Sequence, residues 1–345
     1  MTALSAPAGV DADRVTAWIA ERTDLLVAPV TYTLIAGGRS NLTFRADDAA
    51  GHSWVVRRPP LGPVLATAHD MSREHRIIAA LAPSGVPVPP TLGLCTDDSV
   101  NGAPFYVMAH VDGIVARDQA TAETLAFDAR ATAGHDVVEV LARIHQLDVD
   151  AVGLGDLGRR EGYVARQLSR WRTQWDASKT RELPLIERVH EALAASIPEQ
   201  RFTGIVHGDY RVDNCIVSPQ GHVRAVLDWE LCTLGDTMAD LGQMLVYWGQ
   251  PGDATTALAS PPTLAEGFPD RDAVADRYSV ASGRALDDLD YYVAFAAWKV
   301  ACILEGVYAR YRTGAMGDTQ GTDIEQFRAR VDMLADRAAS ILASD

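Results

Sequence analysis

The sequence predicts an α+β fold of two lobes, a small antiparallel-sheet lobe first and a larger, mainly helical lobe after it. Three observations lead there. The first 110 residues alternate short β-rich runs with turns around one helical stretch. After Val111-Asp112-Gly113, long stretches carry apolar residues at helical spacing. At 345 residues the chain is also long enough for two cores. The boundaries read as an N-terminal helical extension over 1–28, an N-lobe over 29–109 and a C-lobe over 110–345.

Taken in order, residues 10–24 suit a short amphipathic helix with Val15, Trp18 and Ile19 on its apolar side. Strand-like runs cover 30–36, 41–46 and 53–58, with turns at Gly37-Gly38 and around Asp47, Asp48 and Gly51. Residues 69–82 are helical, with Met71, Ile77, Ile78 and Leu81 as the stripe; Pro83, Gly85, Pro87, Pro89 and Pro90 stop them. Two more strands fit 91–95 and 104–109. In the second lobe, helices fit 119–146, 161–177, 184–197, 237–248, 286–312 and 322–343. Short β-branched runs at 204–206, 214–217 and 223–227 interrupt them. Residues 250–270, rich in Pro, Gly, Ala and Thr, read as a loop or lid.

A net charge of −15 argues against nucleic acid or an anionic membrane as the main partner. No uninterrupted apolar run reaches the ~18 residues of a membrane span. The N-terminus lacks a basic segment followed by a long apolar one, so no signal peptide is expected and the cytoplasm is the default location. Cys95, Cys215, Cys232 and Cys302 are scattered without metal-ligand spacing, as reduced thiols would be. The basic residues are nearly all arginine, as GC-rich codon usage favours; Lys179 and Lys299 are the only lysines. No lysine therefore precedes residue 179 to hold a nucleotide phosphate.

The chemistry concentrates in His207-Gly208-Asp209-Tyr210-Arg211-Val212-Asp213-Asn214 and in Leu227-Asp228-Trp229-Glu230. Asn214 and Asp228 follow Asp209 by five and nineteen residues. An acid, an amide and a second acid so spaced suit ATP-dependent phosphoryl transfer. Asp209 would orient a hydroxyl nucleophile, while Asn214 and Asp228 offer hard oxygens to Mg²⁺. Asp209 could instead be a solvated loop acid, and Asn214 an Asx-turn residue. Arg211 stands where a guanidinium could spread the charge of the moving phosphate, or it is a surface arginine. His207 suits orienting the loop, and Asp236 and Asp240 suit capping and bracing.

In the first lobe, Gly38, Arg39, Ser40 and Asn41 join two strands; such a turn can lay N–H groups over phosphates or be an ordinary hairpin. Arg57 ends a strand and could clamp the α- and β-phosphates with Glu74 as its ion-pair partner; a charged strand end and a charged helix face are the plainer uses. No GxxxxGK[ST] pattern occurs, which excludes a P-loop kinase.

These residues resemble the aminoglycoside phosphotransferase family, which has a bilobal protein-kinase-like fold. The resemblance runs from about residue 30 to 310. It implies Asp209 as the catalytic aspartate and Asn214 and Asp228 as Mg²⁺ ligands. Arg57 takes the place of a phosphate-binding lysine, Glu74 that of its helix glutamate, and Arg211 that of the lysine in a kinase Asp-x-Lys loop. It further implies that Ala109 and Val111 hold adenine through their backbone, with Met108 as gatekeeper. A narrower likeness, in VVRRPPLGPVLATAHDMSREHRIIAAL and PFYVMAHVDG, is to the kinase-like domain fused to some acyl-CoA dehydrogenases, a branch associated with hydroxyacyl groups. Two departures stand out: arginine at 57, and Asp-Trp-Glu for Asp-Phe-Gly, with Glu230 as a third carboxylate. No dehydrogenase domain is expected within the 345 residues.

The expected activity is thus an ATP- and Mg²⁺-dependent small-molecule O-phosphotransferase. Its partner is a hydroxyl acceptor: a hydroxyacyl compound, an aminoglycoside or an amino alcohol. The alternatives are a nucleotide-binding kinase-like module with little catalysis, and a metal-dependent hydrolase built on His207, Asp209 and Asp228. Trp171, Trp175, Tyr291, Tyr292, Trp298 and Glu305 are candidate acceptor contacts, although helix aromatics more often pack a core.

Overall fold

Residues 7–36, 41–62, 70–314 and 323–343 are described by a computed structural model. The chain forms two compact units: Met1–Gly113 with Arg224–Glu230, and Ile114–Val223 with Leu231–Asp345.

Alternation along the strands organises the first unit. Helix α1 (Ala12–Ala20) is followed by β1 (Thr31–Ala36), β2 (Leu42–Asp47) and β3 (Ser53–Arg58). Then come helix α2 (Met71–Leu81), β4 (Thr91–Cys95), the short α3 (Asp98–Asn101) and β5 (Phe105–Ala109). The strands make one antiparallel sheet in the order β1-β2-β3-β5-β4. Successive side chains point to opposite faces. Leu42, Phe44, Ala46, Trp54, Val56, Phe105 and Val107 therefore share one buried cluster with Val15, Trp18 and Ile19 of α1. Trp18 meets Phe105 edge-on at 5.1 Å. The N-terminal helix is thus built into the core of this unit. The other parity carries Val55, Arg57, Tyr106 and Met108, and Glu74 of α2 meets that face at Arg57. Asp70 caps α2 by accepting from Arg73 N–H.

The second unit begins with β6 (Ile114–Val115) and the short α4 (Gln119–Ala122). Helices α5 (Phe127–Gln146), α6 (Tyr163–Ser178) and α7 (Pro184–Ala195) follow. The helix expected over 119–146 is therefore broken between Ala122 and Phe127. Strand β7 (Thr203–Val206) leads to β8 (Cys215–Val217), which pairs antiparallel with β6. The chain passes into the 224–230 segment through β9 (Val223–Val226). It returns as β10 (Thr233–Asp236), paired antiparallel with β7, and helices α8 (Met238–Tyr247), α9 (Arg271–Ser282), α10 (Leu289–Arg312) and α11 (Glu325–Leu342). Helix α10 is long and apolar enough to cross a membrane by composition, but most of that stretch is buried, as a core helix is. It packs on α6, α7, α8 and α11. Residues 250–270 lie largely as an irregular segment, with Ala257, Pro262, Thr263 and Ala265 buried.

Candidate active site

Three carboxylates surround one guanidinium in the first unit. Arg57 Nε donates to Glu74 Oε2 at 3.1 Å and Nη2 to Asp228 Oδ1 at 2.6 Å. Glu230 Oε2 lies 3.8 Å from the same Nη2 and accepts from Asn41 Nδ2 at 3.3 Å. Burial disfavours the Arg57 charge, but Glu74, Tyr106 and Asp228 outweigh it and hold the group protonated. Burial raises the carboxyl of Glu74 to about 7 against the pull of Arg57, and Asp228 and Glu230 push the same way.

Asp228 has φ +64°, the one non-glycine residue with positive φ among the described residues. That conformation costs an L-residue about 1–2 kcal/mol, least for Asp and Asn. It turns the carboxylate out of the strand end at β9 and toward Arg57. Val226 N–H donates to Pro87 O, and the buried Trp229 Nε1–H to Val226 O, on either side of the turn. Tryptophan in place of a smaller aromatic thus adds an anchor beside Asp228. Met108 is buried; Ala109 N–H donates to Pro90 O, and Val111 follows the end of β5. Asn41 is buried, and its Oδ1 lacks a partner among the described residues. Gly38, Arg39 and Ser40 lie outside the described residues.

In the second unit the loop after β7 is gripped from α8. Asp240 accepts from His207 N–H at 2.6 Å and Gly208 N–H at 2.9 Å. His207 Nδ1 accepts from Asp209 N–H, so the histidine orients the loop from within. Gly208 has φ +86°, and a Cβ there would stand 2.9 Å from Leu231 O. Only glycine suits that position without displacing backbone.

The Asp209 carboxylate is held at both oxygens. Gln243 Nε2 donates to Oδ1 at 3.3 Å and Asn214 Nδ2 to Oδ2 at 3.1 Å. Asn214 Nδ2 also donates to Asp209 O, which turns the amide oxygen of Asn214 away from the loop. Arg211 Nε lies 3.2 Å from Asp209 Oδ1, its Nη1 lies 3.3 Å from Asp213, and its guanidinium covers the Tyr247 ring at 4.8 Å. It is a largely enclosed side chain aimed at Asp209.

Among the described residues, no group of three or more His, Cys, Asp or Glu is arranged to hold a metal. Asn214 Oδ1 and the second oxygen of Asp228 are single hard donors. Each, within its own unit, suits an ion that keeps waters and takes its other oxygens from phosphates, as Mg²⁺ does. They do not suit a protein-only zinc site of the kind a hydrolase would use.

Asp236 lies in β10, just before Thr237 at the start of α8; it accepts from Met238 N–H and from Tyr292 O–H. Tyr291, Tyr292 and Trp298 are buried with their polar atoms bonded within the core, and Trp175 and Glu305 are buried too. Only Trp171 of the acceptor candidates is half-exposed. Gln243 and Lys299 were not legible as site residues, because their link to Asp209 comes from helix packing. Tyr106 hydrogen-bonds Glu74, and only the strand alternation hinted at its facing α2.

The model of the phosphotransferase enzyme family matches residues 31–287. Over 290 residues the chain is 38% identical to acyl-CoA dehydrogenase family member 10 of Mus musculus, covering 80% of this chain and 26% of that protein. Over 313 residues it is 33% identical to acyl-CoA dehydrogenase family member 11 of Gallus gallus, covering 89% and 40%. The chain therefore spans well under half the length of these relatives. The crystal structure of a Ralstonia eutropha protein, provisionally assigned as an aminoglycoside phosphotransferase, shares 32% identity. It aligns over 96% of this chain and 98% of that one, with a TM-score of 0.80. The expected α+β, protein-kinase-like fold is the one observed.

Proposed function

The chain belongs to the phosphotransferase enzyme family, and on that premise we propose that it transfers the γ-phosphate of ATP to the hydroxyl of a small molecule with Mg²⁺ as cofactor. It is a phosphotransferase with an alcohol group as acceptor. One observation supports the finer reading most: the Asp209 carboxylate is fixed by donors at both oxygens. A carboxylate so fixed can accept the proton of an incoming hydroxyl and aim its oxygen. For a loose transition state, aim and charge neutralisation matter more than basicity.

In this reading Asp209 orients the acceptor hydroxyl and takes its proton as the new O–P bond forms, while the bond from the γ-phosphorus to the bridging oxygen breaks and ADP leaves. Arg211, beside Asp209, stabilises charge on the moving phosphoryl group. Asn214 and Asp228 would each offer the metal a side-chain oxygen. Arg57 binds phosphate oxygens with its forked guanidinium, and Glu74 keeps that fork directed. Backbone groups of Ala109 and Val111 would bind adenine beside Met108, and residues 38–41 would border the phosphates. When bound, Mg²⁺ supplies neutralisation of the phosphate charge.

We propose a hydroxyacyl compound as the acceptor. The acyl-CoA dehydrogenase names of the relatives support this over an aminoglycoside or an amino alcohol. Acceptor-dependent ADP release, screened over hydroxyacyl-CoAs, aminoglycosides and choline-like alcohols, tests it. Turnover only with the cationic compounds would contradict the acceptor assigned here. Because Glu74 and Asp228 already engage Arg57, a nucleotide-binding module with little catalysis is the second reading. It predicts ATP binding with no turnover on any of these compounds.

A further inference from the structure

Of its 31 basic residues the chain has only two lysines, and one of them, Lys299, is buried in the middle of α10. Its Nζ donates to Gln243 Oε1 at 2.6 Å. Gln243, also buried, donates through Nε2 to Gly208 O at 2.9 Å and to Asp209 Oδ1 at 3.3 Å. The ammonium has donors only, so the amide oxygen of Gln243 must face it and the amide NH₂ must face the loop. Gln243 lies one helical turn beyond Asp240 on α8, on the same face. Together they hold both backbone groups of Gly208, Asp240 its N–H and Gln243 its C=O. Close approach of α8 and α10 makes this possible: a Cβ on Gly242 would stand 2.5 Å from Tyr292 O.

We propose that Lys299 and Gln243 are positioning residues for Asp209, with Lys299 acting through the Gln243 amide. The inference rests on the reading of Asp209 as the residue that orients the acceptor hydroxyl. Gln243 fixes one carboxylate oxygen, Asn214 fixes the other, and the proton-accepting direction is thereby set. A compact ammonium suits this place where a forked, wider guanidinium would not. Burial lowers Lys299 to about 8, against the pull of Asp240 and Asp209, so it is charged at neutral pH. The Trp171 ring, 5.8 Å from Nζ, closes another side.

The test measures kcat and the KM for ATP by ADP release, using the hydroxyl compound of highest turnover in the screen. Gln243→Glu retains a partner for Lys299 but turns an acceptor oxygen on Asp209. It is expected to lower kcat by at least ~30-fold with KM changed less than ~3-fold. Lys299→Met is expected to lower kcat by roughly 10-fold in the native background and by less than ~2-fold in a Gln243→Leu background. Native kcat in Gln243→Glu, or the same fold-loss from Lys299→Met in both backgrounds, overturns the proposal. If Gln243→Glu fails to fold, the Lys299→Met and Gln243→Leu cycle decides alone. Asp209→Asn serves as the control. Loss of transfer there beside an active Gln243→Glu sinks only this inference, whereas retained transfer sinks the reading of Asp209 as well.

Discussion

Arg57 Nη2 stands 2.6 Å from Asp228 Oδ1, so the residue proposed for phosphate binding is tied to one proposed for the metal. Its other edge holds Glu74. A lysine has a single nitrogen and cannot span both carboxylates in this way. Arginine at 57 is thus matched by Glu74, Asp228 and Glu230 together, and Glu230 is the acid that replaces a glycine in the expected pattern.

Removal of that guanidinium leaves Glu74 buried without its counter-charge. Arg57→Met is expected to cost about 3 kcal/mol of stability and to raise the KM for ATP at least ~10-fold. Urea unfolding and ATP titration of the kinetics check both. A variant with native stability would show that the three carboxylates do not depend on Arg57.

Asp240 offers a sharper case of a residue acting at a distance from the chemistry. Asp240→Asn places an NH₂ where one of two N–H groups must be accepted. Stability should fall by about 1–3 kcal/mol. The kcat should fall ~100-fold with little change in KM for ATP, because only the loop is displaced. Unchanged kcat in a folded variant would contradict the bracing role.

Gly208→Ala tests the loop backbone itself. The positive φ and the Leu231 carbonyl 2.9 Å from a new Cβ both oppose a side chain. A loss of about 1–3 kcal/mol is expected, together with loss of transfer. Native melting and activity would mean that the loop can adopt another path.

Lys299 gives a pH signature. Its folded pKa, about 8, lies below the ordinary 10.5. Between these values the unfolded chain binds more protons, so stability rises with pH across that window. The penalty is fully present below pH 8 and gone above 10.5, a span of about 3 kcal/mol. The stability of the native protein minus that of Lys299→Met should climb from pH 8 to 10.5. A flat difference would contradict it.

Much of this was legible where the signal is local. Strands 91–95 and 104–109 and the helix over 69–82 follow from period and stop signals, and they form within a residue or two of those bounds. Helix α9 escaped because only Val274 and Tyr278 mark its buried side. Strand β10, Thr-Leu-Gly-Asp, has two residues that disfavour strands; pairing with Thr203–Val206 makes it one. In the site, the loop motif is contiguous and could be read directly. Gln243 and Lys299 reach Asp209 across 34 and then 56 residues of chain, through the packing of α8 on α10. No pattern in the sequence announces such a contact.

The most direct measurement is phosphoryl transfer by Asp209→Asn, read as acceptor-dependent ADP release in Mg·ATP. The variant keeps the size of the side chain and can fold, but it cannot take the hydroxyl proton. A kcat reduced at least ~100-fold with ATP binding retained is the predicted result. Transfer at the native rate would contradict the account.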